Sequence, residues 1–198
     1  MVRVCLPRSV YPAAAPQLPE AVFTPLPECD GYLSADSVSA ELLCGAKALL
    51  IGPGMGHNAH TIAAATRMAA ISRIPTVIDA DGLNAMAAEP ELLRQCKAPV
   101  IVTPHLGEMA RLCGKTVEEI SRDRIGVALA FAKEHQVITV LKGAYTVIAE
   151  PDGRLFINTT GNEAMATAGS GDMLAGMITA FLANGMEPLA AAVSAVCL

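Results

Sequence analysis

The chain has 198 residues, of which 53% are hydrophobic and 17% charged, with a formal net charge of −5. This excludes a disordered or strongly solvated chain, and the length suits one domain able to bury a core without disulfide or metal staples. No basic run or Lys/Arg face invites a nucleic-acid partner. No signal-peptide apolar region and no apolar run of about 18 residues points to a membrane.

In chain order, Val2 to Leu6 reads as a short strand. Residues 7–35 read as a Pro-rich, acidic surface excursion with one strand around Ala21 to Thr24. Val38 to Cys44 is predicted helical, and Ala46 to Ile51 is a buried strand running into a Gly-rich turn. A helix follows over about Ala59 to Arg73, then a strand over Thr76 to Asp79 and short helices over Asp81 to Ala88 and Glu89 to Gln95. Val100 to Thr103 is a strand ending at Pro104, and His105 to Cys113 is helical. One helix is predicted over Val117 to His135, with a kink near Ser121, before a strand over Val137 to Lys142. Thr146 to Ala149, the turn Pro151-Asp152-Gly153 and Leu155 to Asn158 read as a hairpin. A Gly-, Ala- and Thr-rich loop, Gly161 to Gly171, leads into a helix over Met173 to Ala183. Its expected buried stripe is Met173, Leu174, Met177, Ile178, Phe181 and Leu182. Strands alternating with helices imply an α/β fold with a mainly parallel sheet, in which ligands bind beyond the carboxyl ends of the strands.

The six cysteines (Cys5, Cys29, Cys44, Cys96, Cys113 and Cys197) form no CxxC pair, and no His stands at metal-ligand spacing from them. They read as reduced thiols of a cytoplasmic protein.

Five strand-end segments carry chemistry. Gly52-Pro53-Gly54-Met55-Gly56 allows close backbone approach to a ligand, or is simply a tight strand-to-helix turn. It has neither the GxGxxG spacing nor a Walker lysine. In Asp79-Ala80-Asp81-Gly82-Leu83-Asn84, the polar groups Asp79, Asp81 and Asn84 suit Mg²⁺ held through water, hydroxyl recognition or support of a neighbouring loop; Asp81 could equally cap a helix. In Thr103-Pro104-His105-Leu106-Gly107-Glu108, the i, i+3 spacing puts His105 and Glu108 on one helix face, as a site or as a structural hydrogen-bonding pair. Lys142, in Lys142-Gly143-Ala144-Tyr145-Thr146, ends an apolar strand where an ammonium can meet phosphate oxygens or snorkel to solvent. The long segment Gly161 to Asp172 brings glycines into a helix start. Free amides of Gly169, Ser170, Gly171 and Asp172 there can form an anion hole, and the Asp172 carboxylate can act as a base or cap the helix.

Taken together and in this order, GPGMG, DADGLN, TPHLGEM, KGAYT and GNEAMATAGSGDMLAG resemble the NAD(P)H-hydrate dehydratases of the ribokinase-like superfamily, over residues 1–198 and most densely over 48–185. The resemblance implies a three-layer α/β/α fold in a single domain, residues 1–198. It implies a lyase that repairs NADH-hydrate and NADPH-hydrate: a nucleotide phosphorylates the ring hydroxyl of the S-epimer, phosphate leaves, and the double bond returns. Mg²⁺ and ADP or ATP are the implied cofactors.

Carried over by motif, Asp172 is the base and also touches substrate, as do Gly54, Gly56 and His105. Lys142, Gly143, Ala144, Tyr145, Thr146 and Gly171 line the nucleotide, Gly169, Ser170 and Gly171 form the anion hole, and Asp79, Asp81, Asn84 and Glu108 support the site or hold Mg²⁺ through water. The resemblance further implies a homo-oligomer and, in some members, an epimerase domain or partner. Members usually begin with a further strand and end with further helices, so the expected fold lacks its first strand and last helices. The alternatives are a ribokinase-like kinase for a vitamin precursor or sugar alcohol, and a non-catalytic nucleotide-binding remnant.

Overall fold

A computed structural model of the chain describes residues 1–161 and 167–198, so residues 162–166 of the predicted Gly161–Gly171 loop lie outside the described residues. The N-terminal part is a small structure of its own. Strand β1 (Arg3–Pro7) pairs in parallel with β2 (Val22–Leu26), from Arg3 opposite Val22 to Pro7 opposite Leu26, with the one-turn helix α1 (Tyr11–Ala14) between them. A hairpin follows, β3 (Glu28–Cys29) and β4 (Tyr32–Leu33). Its turn residues, Asp30 and Gly31, both take positive φ (51° and 83°), which matches the right-handed twist of paired strands. The predicted helix over Val38 to Cys44 is instead a 3-10 turn, Ala40–Leu43.

The main sheet has six strands: β5 (Leu49–Ile51), β6 (Thr76–Ile78), β7 (Val100–Val102), β8 (Ile138–Leu141), β9 (Val147–Ala149) and β10 (Leu155–Ile157). They lie side by side in chain order; β5 to β8 are parallel, and β9 and β10 are added antiparallel. Because each parallel strand is laid down beside its predecessor in one direction, crossovers of one hand must all cover the same face. That face carries α2 (Ala59–Ile71), α3 (Asp81–Met86), α4 (Leu106–Cys113), α5 (Val117–Arg122) and α6 (Arg124–His135). The opposite face is left to the helices that follow the sheet, α7 (Ser170–Ala183) and α8 (Pro188–Cys197). The result is the expected three-layer α/β/α arrangement.

The two cores follow the period of two along each strand. Ile51, Ile78, Val100, Val102, Leu141, Val147 and Ala149 face the α2–α6 side. Val77, Ile101, Ile138, Val140 and Ile148 face α7 and α8. With both faces covered, these strands read as continuous apolar runs rather than as alternation. No helix among the described residues is long and apolar enough to cross a membrane.

Two further expectations need correction. Val117 to His135 is not one kinked helix. The chain breaks at Asp123 (φ −141°, ψ 65°), whose Oδ1 accepts the Gly126 amide at 2.8 Å and so caps a new helix. The buried stripe of α7 is Ala175, Ile178 and Leu182; Leu174, Met177 and Phe181 flank it half-buried, and Met173 is 69% exposed. The helix meets the sheet through its small Ala175, which turns Met173 outward.

Candidate functional site

The carboxyl ends of the four parallel strands lie along one edge of the sheet, and four of the five predicted segments begin there; the fifth follows β10, which runs in the same direction as β5 to β8. Two of these loops touch backbone to backbone. Gly52 has φ +133°, and a Cβ on it would land on the Asp79 carbonyl oxygen; a Cβ on Gly82 would stand 2.7 Å from the Ile51 oxygen. The Asp79 amide donates to the Ile51 carbonyl at 3.0 Å, completing the junction. Sequence reasoning singled out Gly54 and Gly56 but missed Gly52 and Gly82, although both lay inside its quoted motifs.

Between the two carboxylates of the second loop, Ala80 sits at φ 48°, ψ −119°. This is a strained conformation for a residue with a Cβ, worth on the order of 1–3 kcal/mol. Nothing in the sequence signals it. Asp79, 1% exposed, holds Lys142, while the Asp81 Oδ2 accepts the Gly56 amide at 2.8 Å and pins the GPGMG loop. Asp81 is therefore a loop support and not the cap of α3, whose N-cap is Ala80.

Lys142 is the centre of the site. Its Nζ is 2.7 Å from Asp79 Oδ1 and 3.8 Å from Glu108 Oε2, with 18% of the side chain exposed. A Cβ on Gly171 would come within 3.2 Å of Nζ, so the start of α7 lies directly against the ammonium. Lys142 is thus no snorkelling surface lysine.

His105 is the N-cap of α4. Its Nδ1 accepts the amides of Gly107 (2.9 Å) and Glu108 (3.2 Å), and the Glu108 Oε2 accepts the His105 amide at 2.8 Å. This reciprocal cap fixes Glu108 in its place beside Lys142. With Nδ1 accepting, the proton of a neutral imidazole belongs on Nε2, which is 3.4 Å from Glu108 Oε1. The ring remains half exposed, so the capping role does not remove it from the surface of the site. The Asn84 Oδ1 accepts Arg111 Nε at 2.9 Å.

In the Lys142–Thr146 loop, the Thr146 hydroxyl donates to the Gly143 carbonyl at 3.0 Å, and Tyr145 is 63% exposed at φ 57°. Arg124, at the start of α6, reaches back to the carbonyls of Ala144, Tyr145 and Leu141. Burial pushes its guanidinium below its usual pKa, and its Nε is buried without a partner among the described residues. Sequence reasoning missed Arg124, since a lone Arg at a helix start carries no signal. A cavity of about 240 Å³ opens beside this loop, lined by Arg122, Asp123, Ile125, Tyr145, Val147 and Ile157 among others.

At the start of α7, Gly169 is a left-handed N-cap (φ +87°). The Ser170 amide and hydroxyl both donate to the Thr167 carbonyl, at 3.2 and 2.9 Å. The first helical bond is from the Met173 amide to the Gly169 carbonyl at 3.0 Å. The amides of Gly171 and Asp172 therefore precede the helical ladder and are the donors of this helix terminus best placed for an anion. The Asp172 carboxylate is exposed beside them. The start of α7 thus sets amides without a partner among the described residues, next to the Asp172 carboxylate in sequence, against the Lys142 ammonium, a combination suited to moving a phosphoryl group.

A family model described as NAD(P)H-hydrate dehydratase matches residues 1–198. A bifunctional NAD(P)H-hydrate repair enzyme Nnr from Moorella thermoacetica is 42% identical over 195 residues, covering 97% of this chain and 37% of that protein. Among solved structures, an ADP/ATP-dependent NAD(P)H-hydrate dehydratase from Bacillus subtilis, co-crystallized with ATP/Mg²⁺, superimposes with a TM-score of 0.78 at 34% identity, over 96% of this chain and 66% of that one. A ribokinase-like superfamily protein from Enterococcus faecalis gives the same TM-score of 0.78 at 26% identity, over 98% of this chain and 65% of that one. The chain spans a little over a third of the length of the curated Moorella relative.

Proposed function

The chain belongs to the NAD(P)H-hydrate dehydratase family, and on that premise we propose that it carries the site for nucleotide-dependent dehydration of the S-epimer of NADH-hydrate and NADPH-hydrate, a metabolite-repair lyase reaction. The observation that carries the reading is the position of Lys142. Its ammonium, held by Asp79 at 2.7 Å, lies against Gly171, one residue before Asp172.

In the proposed reaction, Asp172 accepts the proton of the ring hydroxyl as the hydroxyl oxygen attacks the terminal phosphorus of ADP or ATP, and the bond from that phosphorus to the bridging oxygen breaks, releasing AMP or ADP with its electrons. The Gly171 and Asp172 amides and Lys142 hold the phosphate charge, with Gly169 and Ser170 shaping the turn. Phosphate then departs with the carbon–oxygen bond electrons, and loss of a proton from the neighbouring ring carbon restores the double bond. His105, Gly54 and Gly56 border the hydrated dinucleotide. Gly143, Ala144, Tyr145 and Thr146, braced by Arg124, border the adenylate.

Asp79 and Glu108 fit Mg²⁺ held through water. Both are carboxylates beside the phosphate position, and both are already tied to Lys142 or to amides, so neither offers a free chelating pair. Mg²⁺ arriving with the nucleotide would add positive charge to the same phosphates. The proposed setting is the cytoplasm, with self-association into a homo-oligomer and an epimerase domain or partner supplying the S-epimer.

The test is to incubate the protein with hydrated NADH, Mg²⁺ and ADP or ATP, following reduced-nicotinamide absorbance and inorganic phosphate together. Equal recovery of both is expected. Accumulation of a stable phosphate ester would identify a kinase instead, and nucleotide binding without turnover would reduce the chain to a binding module.

A further inference from the structure

Away from the Lys142 cluster, the fold brings together three side chains of a kind that binds metals. Cys29 ends β3, Asp30 is the first turn residue of the β3–β4 hairpin, and His60 is the second residue of α2. Their thiol, carboxylate and imidazole ligand atoms all lie within 4.8 Å of one another. Among the described residues, this is the one group of three or more His, Cys, Asp or Glu side chains close enough to share an ion.

We propose that Cys29, Asp30 and His60 form a binding site for a divalent transition-metal ion of the zinc type, with a fourth position open to water or a small ligand. The donors are one thiolate, one imidazole and one carboxylate, a set that favours Zn²⁺ over Mg²⁺ or Ca²⁺. Tetrahedral zinc bonds of 2.0–2.3 Å place ligand atoms roughly 3.3–3.8 Å apart, against the limit of 4.8 Å within which these ligand atoms lie. Thiolate and carboxylate together offset the charge of the ion, and binding releases the Cys29 thiol proton to solvent.

The backbone on both sides is fixed in advance. The Asp30-Gly31 turn holds Cys29 and Asp30, while Asn58 caps α2 by accepting the Thr61 amide at 2.9 Å and so fixes the turn bearing His60. The same hairpin packs the Tyr32 ring over Gly56, where a Cβ would stand 2.7 Å from Cε1. An ion held here would therefore clip the hairpin onto the helix that follows the GPGMG loop.

The test uses chelator-treated protein titrated with Co²⁺ by absorption spectroscopy and with Zn²⁺ by calorimetry. One equivalent should bind, with a thiolate-to-cobalt charge-transfer band that excess Mg²⁺ leaves unchanged. Cys29→Ser should abolish the band. Losing even an outer-shell partner costs a metal site about 10–100-fold, so His60→Ala should weaken Zn²⁺ binding at least roughly tenfold. Both variants should melt like the parent in chelator, whereas Zn²⁺ should raise the melting temperature of the parent more than that of either variant at the same concentration. Absence of stoichiometric binding would overturn the proposal. So would a band that survives in Cys29→Ser, because another cysteine would then hold the ion.

Discussion

Asp172 stands where a base is most useful, exposed on the first turn of α7 beside amides that can hold a phosphate. Asp172→Asn keeps its size and its accepting oxygen but removes its basicity. The expected loss in kcat on hydrated NADH is about 10²–10⁴-fold, with nucleotide affinity and melting temperature nearly unchanged. A near-parental rate would reduce Asp172 to a helix-start residue. Lys142 behaves differently because it is both a ligand group and half of a largely buried ion pair. Lys142→Met should weaken ADP binding in calorimetry by about 1–3 kcal/mol, the worth of a charge-assisted hydrogen bond. It should also lower unfolding stability by about 3 kcal/mol, since Asp79 is left buried without its cation. Adding Asp79→Asn should recover part of that stability, the non-additivity expected of a contacting pair. Among the cysteines, burial pushes the thiols of Cys5, Cys96 and Cys113 above their ordinary values. They should resist alkylation at neutral pH and react faster as pH rises, while mass spectrometry should find the exposed Cys44 and Cys197 labelled first.

Elements were legible in the sequence where periodicity was strong and blurred where side-chain caps decide the ends. The α5–α6 break illustrates this. Apolar spacing runs through both helices and suggests one, but the Asp123 carboxylate takes the Gly126 amide and starts the second helix. Asp123→Ala should cost about 1 kcal/mol in denaturant unfolding. At the start of α5, the Thr116 amide donates to the Glu119 carboxylate at 2.7 Å and holds its pKa below the ordinary carboxylate range. A depressed carboxylate adds stability that is present above its unfolded pKa and is lost as pH falls through its folded one. Glu119→Gln should therefore lower the melting temperature slightly at neutral pH and flatten the acid limb of its pH profile, leaving the value in strong acid, where the parent carboxyl is protonated, little changed. Met173 marks the other kind of miss. The stripe read from the helix period was wide enough to include it, but only contact with the sheet decides which edge of a wide stripe is covered.

At the scale of the whole molecule, function rests on how closely strand ends approach. The β5 and β6 loops meet through Gly52 and Gly82, leaving no room for a side chain. Gly52→Ala should destabilise the protein by about 3 kcal/mol or more, through overlap with the Asp79 carbonyl and an unfavourable φ. Urea unfolding would measure it, and ADP affinity should fall with it because Asp79 positions Lys142.

By itself, the sequence determined the alternation of strands and helices, the parallel α/β class, the five strand-end motifs and the family that they resemble. These are local properties, carried by periodicity, turn chemistry and short motifs. Tertiary structure alone decided that Lys142 meets Asp79 across 63 residues, that Arg124 braces a loop about twenty residues away, and that Cys29 and Asp30 come to stand beside His60. The physical reason is strand order. In a parallel sheet, the loops that become neighbours are chosen by which strands pair, and no spacing within a single motif records that choice.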